Sequence, residues 1–278
     1  MSNISGVNED EEPPVLRDDG TVPLERPWQW LARGWSDFTR APEIGLFYGF
    51  GLFSASWALV LLLAVAGEIH LLLPFTGGFF IVAPLLVAGL YDTSRRLELG
   101  RRPRLSTALM AWRAPRQLAL MGVILVLIHL AWIRVALLLY PLFFYGRGHS
   151  TETFLPELLG TSAGLALLVV GGLIGLLFAL TAFCVTAVSI PMLVDQEISV
   201  IDAVIASVGV VRSNPRAMLL WGLLIVLLTV IGMMTLFFGL LVIAPVIAHA
   251  TWHAYRDTIT VATPPTPRAP AKRPGSAG

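Results

Sequence analysis

A single cysteine, Cys184, stands in the chain inside an apolar run, so no disulfide can form within one molecule and the residue says nothing about compartment. Charge is scarce as well. Only 13% of the residues are charged against 56% hydrophobic, and with a mean hydropathy of +0.76 there is too little polar surface to coat a soluble globule of 278 residues. Lipid must cover the difference. Of nineteen basic residues only Lys272 is a lysine, and a net charge of +1 with the arginines gathered in a few segments offers no surface for nucleic acid. Met1 to Leu24 is acidic, with Glu9, Asp10, Glu11 and Glu12 where a signal peptide would carry positive charge, so no cleaved targeting segment is expected. Nucleophile elbows, phosphate loops, carboxylate pairs within an apolar run and zinc-ligand clusters are all missing, so neither an enzyme nor a cofactor is expected.

What the chain has is apolar length. Stretches run from Ile44 to Ala66, Leu71 to Tyr91, Gln117 to Phe144, Ser162 to Val194, Ala217 to Phe237 and Phe238 to Tyr255. Each reaches or approaches the roughly 20 residues that cross a bilayer. The last two run together and greatly exceed one span, so a tight hairpin near Met234 to Gly239 is expected. The fold class is thus all-α: a polytopic membrane protein of six transmembrane helices, with an N-terminal tail 1–26 and a C-terminal tail 259–278 whose compositions bury no core.

Arginines set the orientation. The connection after the second span carries Arg95, Arg96, Arg101, Arg102, Arg104, Arg113 and Arg116, and such loops stay in the cytoplasm. Arg26, Arg33 and Arg40, then Arg212 and Arg216, then Arg256, Arg268, Lys272 and Arg273 fall on the same side, which places both ends in the cytoplasm. Opposite connections hold only Glu68, His70, Arg147, His149, Glu152 and Glu157. Trp28, Trp30, Trp35, Trp112, Trp221 and Trp252 are expected at the same boundary, where amphipathic indoles sit.

A threefold internal repeat orders these parts as a short amphipathic helix, an arginine followed by proline, a span, and a second span with proline. In the first copy Trp28, Leu31, Trp35 and Phe38 recur at helical spacing, with Arg33, Asp37 and Arg40 on other faces, before Arg40-Ala41-Pro42. The second has Leu105, Leu109 and Trp112 before Arg113-Ala114-Pro115. In the third, Ser199 and Asp202 stand at capping spacing, Ile201, Val204, Ile205, Val208 and Val211 form a stripe, and Arg212 leads to Pro215. The copies close on Ile81-Val82-Ala83-Pro84, Val188-Ser189-Ile190-Pro191 and Val242-Ile243-Ala244-Pro245. Three hairpins, each led by an interfacial helix, are the expected architecture.

Pro27 to Gly34 (PWQWLARG), Ala88 to Leu97 (AGLYDTSRRL), Ser189 to Leu193 (SIPML) and Ala248 to Asp257 (AHATWHAYRD) resemble segments of a bacterial integral membrane family, number 2189 of the domains of unknown function. The resemblance covers roughly Pro27 to Ile259 and implies a multi-pass protein of the bacterial inner membrane. Some members carry the label of cytochrome c oxidase subunit I. Such a subunit draws its haem and copper ligands from more histidines and more spans than this chain holds, whose histidines are His70, His129, His149, His249 and His253.

The candidate site residues are few. His249 and His253 stand four apart on the last span, a spacing that sets two imidazoles on one face as a metal pair requires, and Asp92 holds the position equivalent to His253 in the first copy. His129 and Arg134 are ionisable within the third span and, five apart, lie on different faces. Gly45 with Gly49, Gly160 with Gly164, and Gly171 with Gly175 have the spacing of close helix contacts, including self-association. The expected role is membrane organisation, assembly or lipid interaction, with lipids and a second copy or another membrane protein as partners. A small-solute transporter or channel is the alternative, and a haem- or metal-binding respiratory accessory protein a further one.

Overall fold

The computed structural model describes residues 15–16, 22–68, 71–110, 115–144 and 151–260. Helix α1 (Arg26–Arg40) carries proline at its start, and its last turn closes where the Ala41 amide bonds back to the Asp37 and Phe38 carbonyls. Pro42 then starts α2 (Pro42–Val65), because a proline tolerates the first turn, where its missing N–H has no partner to lose. Helices α3 (Leu72–Leu86) and α4 (Ala88–Glu98) meet at Val87, just past Pro84. Gly100, at φ 66°, ends α4 while the Arg101 amide bonds to the Arg96 carbonyl at 2.8 Å, a left-handed stop that glycine adopts without strain.

Helix α5 (Leu105–Leu109) precedes α6 (Pro115–Phe143), α7 (Thr151–Gly160), α8 (Ser162–Thr186) and α9 (Ser189–Asp195). Helix α10 (Val200–Ser213) is capped by Ser199, whose hydroxyl accepts the Asp202 amide at 3.2 Å, as the capping spacing predicts. Pro215 opens α11 (Pro215–Met234), and α12 (Leu240–Thr258) follows. Two residues from each expected tail pair antiparallel, β1 (Val15–Leu16) with β2 (Ile259–Thr260). Most of both tails, together with Trp112, Arg113, Ala114, His70, Arg147 and His149, lies outside the described residues.

Among the described residues five helices are long and apolar enough to cross a membrane: Pro42–Val65, Pro74–Glu98, Arg116–Phe143, Ser162–Asp195 and Pro215–Met234. The sixth expected span, α12, is not among these five: it is a nineteen-residue helix whose second half carries His249, His253, Arg256 and Asp257. The hairpin between α11 and α12 turns where the sequence places it. Leu236 and Phe237 take φ of 55° and 68°, the Thr235 hydroxyl accepts the Gly239 amide at 2.7 Å, and the Trp57 indole donates to the Leu236 carbonyl at 3.2 Å. Two left-handed residues without glycine's freedom cost of order 1–3 kcal/mol each, and these contacts help to hold them.

Buried residues gather at the arginine-bearing end. The main core joins Trp30, Ile44 and Leu52 to Leu90, Tyr91, Leu118, Met121, Leu125, the α9 side chains Ile190 to Val194, Met218, Trp221, Trp252 and Tyr255. Beyond it the long helices expose large apolar side chains such as Leu61, Leu62, Leu138, Leu173, Leu177 and Ile231, as lipid-facing helices do. Glycines act within the chain. A Cβ on Gly49 would run into the Leu241 backbone and one on Gly45 into the Phe38 ring, so this small-residue stripe seats α12 on α2.

A polar and aromatic network as candidate functional site

The network starts from the two-faced α1. Trp30, Gly34, Asp37 and Phe38 turn inward, while Trp28 and Trp35 are exposed. Gly34 is required by contact distance: a Cβ there would sit 2.6 Å from the Val246 carbonyl oxygen and 2.7 Å from the Ala250 nitrogen. That closeness brings Asp37 against α4 and α12. The sequence sets Asp37 with Arg33 and Arg40 on faces other than the Trp28 to Phe38 stripe, and of the three only Asp37 is buried. Trp30, Trp221 and Trp252 are core residues, Trp30 meeting Trp221 edge-on at 5.7 Å.

At the centre the Ser94 hydroxyl donates to Asp37 Oδ2 at 2.8 Å and lies 2.8 Å from His249 Nδ1, while His253 Nε2 lies 2.9 Å from the same carboxylate oxygen. Hydrogen counting fixes the roles. A serine has one hydroxyl proton, and with that proton on the carboxylate the serine oxygen can only accept, so His249 must donate from Nδ1. A neutral His249 then keeps its lone pair on Nε2, a buried atom without a partner among the described residues. His253 donates from Nε2 to the carboxylate. Burial pushes the Asp37 carboxyl up, but hydrogen bonds from His253 and Ser94 with the field of both imidazoles outweigh it and hold it below its ordinary value.

Ion pairs surround this centre. Asp92, fully buried, accepts from Arg95 Nη2 at 2.8 Å and from Arg96 Nε. Arg95 also faces Asp195 at 3.9 Å, and Asp195 accepts from the Tyr255 hydroxyl at 2.8 Å. Gln196 donates to that hydroxyl at 2.7 Å. Arg256 and the Trp252 indole both reach Glu98, at 3.2 and 3.1 Å. Asp257 accepts from the Trp30 indole at 2.8 Å, with Arg26 and Arg33 at 3.5 and 3.4 Å. Segments PWQWLARG, AGLYDTSRRL and AHATWHAYRD, together with α9 that begins in SIPML, therefore close on one another at one end of the molecule.

The histidine pair shares one network, and Asp92 stays with its arginines instead of joining His253. Among the described residues no group of three or more His, Cys, Asp or Glu is arranged to hold a metal ion. Asp37 and Ser94, which do meet the histidines, are the residues that sequence reasoning misses. His129 lies elsewhere, its ring against Gly78, whose missing Cβ leaves the notch it fills, and its buried Nδ1 has no partner among the described residues. One turn on, Trp132 donates to the Pro74 carbonyl at 2.7 Å and packs on Gly77 and Gly175. Arg134 is exposed on another face of α6.

No curated protein and no solved structure matches the chain. Residues 72–195, which run from α3 to α9 and hold Asp92, Ser94, His129 and Arg134, match the model of the family described as "Predicted integral membrane protein (DUF2189)", the family that the sequence resembles, and the chain is an integral membrane protein.

Proposed function

We propose that the chain is a membrane-organising scaffold of the bacterial inner membrane, six helices in three hairpins with both ends cytoplasmic, whose interfacial helices dock on lipid. The observation that carries this reading is the division of α1. Trp28 and Trp35, seven residues apart and thus on one face, are 57% and 53% exposed, while the opposite face is locked into the polar network. An indole pair left outward on an amphipathic helix suits the headgroup boundary, where apolar ring and N–H are both satisfied. Helix α10 supports it in the same way, exposing Ile201 and Ile205 while burying Val200, Ala203, Ser207 and Val210. The recurring order α1–α2–α3/α4, α5–α6–α8/α9, α10–α11–α12 favours three related units. No catalytic step is invoked.

Tryptophan fluorescence with depth-graded quenching lipids tests the proposal in the full chain reconstituted in bilayers. Trp28 and Trp35 are expected to be quenched most strongly by probes near the headgroups, and Trp28→Ser with Trp35→Ser to remove that signal while the spans remain inserted. Equal quenching by an aqueous collisional quencher and none by lipid probes would overturn it. The transporter reading keeps one specific observation in its favour, the buried His129 Nδ1 beside Gly78 within the apolar span, without a partner among the described residues.

A further inference from the structure

Of the thirteen arginines among the described residues, six have carboxylate partners. Arg26 and Arg33 pair with Asp257, Arg40 with Asp37, Arg95 and Arg96 with Asp92, and Arg256 with Glu98 and Asp195. On α6 two arginines differ. Arg116 and Arg134 are both exposed, and among the described residues no carboxylate lies within ion-pair distance of either.

Their positions on the helix are related. Arg116, Leu120, Val123, Leu127, Leu130 and Arg134 follow one another at intervals of three and four, so the two arginines close the ends of a single stripe. Between them Leu120, Val123, Leu127 and Leu130 are 44%, 55%, 59% and 56% exposed, and nothing among the described residues covers them. Eighteen positions of α-helix rise about 27 Å, close to the roughly 30 Å hydrocarbon thickness of a bilayer. Arg134, an ionisable residue within the third span when read from the sequence, thus lies toward the far end of the same face that Arg116 opens.

Helix electrostatics gives no reason for Arg116. The first turn of a helix disfavours a cation by a few tenths of a kcal/mol up to about 1 kcal/mol. The α11 span repeats the arrangement after Pro215: Arg216 heads an exposed face of Leu219, Leu223 and Leu227, and it too has no carboxylate partner among the described residues. In α2 the position after Pro42 is Glu43, so that span has no equivalent. A guanidinium beside an exposed apolar stripe, with no carboxylate partner among the described residues, matches the phosphodiester of a phospholipid in geometry and sign.

We infer that Arg116 and Arg134 ligate the phosphates of anionic phospholipids in opposite leaflets, on one face of α6, with Arg216 as the counterpart of Arg116 on α11. This rests on the lipid-docking reading and adds to it the headgroup class and the residues that select it. The zone between the two arginines accepts acyl chains. Removing either charge weakens retention of anionic lipid, at about 1 kcal/mol or about fivefold per arginine.

The test uses the full chain in mild detergent, titrated with palmitoyl-oleoyl phosphatidylglycerol or phosphatidylcholine, with bound lipid counted by native mass spectrometry. Arg116→Gln and Arg134→Gln are each expected to lower phosphatidylglycerol affinity about fivefold and the double variant roughly 25-fold, with phosphatidylcholine unchanged. Arg134→Lys should recover most of the loss as a point charge. Both side chains are exposed, so the fold should persist, and an unchanged melting curve verifies this. Arg101, Arg102 and Arg104 remain to set topology, and cysteine accessibility at Gly100 reads any inversion. A double variant that keeps wild-type phosphatidylglycerol affinity, or a wild type that holds phosphatidylcholine equally well, overturns the inference. Quenching of Trp28 and Trp35 reports the docking reading separately, so its failure and this one are told apart.

Discussion

His253 Nε2 lies 2.9 Å from Asp37 Oδ2, joining the last helix to the first across 216 positions of sequence. With Ser94 on the same carboxylate and His249 reaching it through the Ser94 hydroxyl, this one aspartate ties α1 to both α4 and α12.

Asp37→Asn therefore removes a charge that three side chains are arranged around. Leaving buried donors poorly satisfied costs about 1–3 kcal/mol, and the melting temperature in detergent should fall accordingly. Arg33→Gln, which loses only a half-exposed contact to Asp257, should change stability by less than about 1 kcal/mol. Equal losses in the two variants would show that the carboxylate is not central.

Acid should dissolve the same contact. The Asp37 carboxyl is held below its ordinary value in the fold, so the folded state binds its proton less readily than the unfolded chain does. Its contribution is complete above the unfolded value of about 3.9 and is lost as pH falls through the lower, folded value. Arg40 on α1 and His249 and His253 on α12 face the same carboxylate, so the measurement compares the wild type with Asp37→Asn. Their stability difference, followed by chemical unfolding in detergent, should be greatest near neutrality and shrink below about pH 4. A difference that grows toward acid would reverse the assigned sign.

Much of the fold is legible along the chain because its signals are local. Ala41-Pro42 and Asn214-Pro215 mark real helix junctions, Ser199 caps α10, and the run from Ala217 to Tyr255 is too long for one span, so the turn falls at Thr235 to Gly239. The site is less legible because its partners are far apart. Asp37 carries no sign of burial in the sequence, and the close approach of Gly34 to Val246 and Ala250 brings its face against α12. Ser94 is one small polar residue among many, distinguished by where α4 meets α12. Tryptophan position alone does not separate the exposed Trp28 and Trp35 from the buried Trp30, Trp221 and Trp252.

Gly49 and Gly51 form a matched pair on α2. A Cβ at position 49 overlaps the Leu241 backbone, whereas one at 51 meets nothing within 4 Å. Gly49→Ala should cost about 1–3 kcal/mol through displaced backbone, and Gly51→Ala should be neutral or stabilise by up to about 1 kcal/mol. Thermal unfolding of the two variants checks the order, and the reverse order would place the α2–α12 contact elsewhere.

His129 separates scaffold from pathway. Its buried Nδ1 has no partner among the described residues, so replacing it with an apolar side chain of similar shape sacrifices no seen bond. His129→Phe should leave the melting temperature within about 2–4 °C of wild type or raise it. If a growth or uptake phenotype of a deletion strain is restored by the wild type but not by this stable variant, the solute-path reading gains over the scaffold.

The concentration of the core at the arginine-bearing end has a mechanical consequence. At that end the molecule has a cross-section fixed by side chains packed against side chains, and toward the other end its long helices present large apolar side chains outward. Lateral pressure therefore acts on the two halves differently. Compressing or thinning the lipid around the loosely joined half changes the area it occupies at small cost in protein contacts, while the other half holds its footprint.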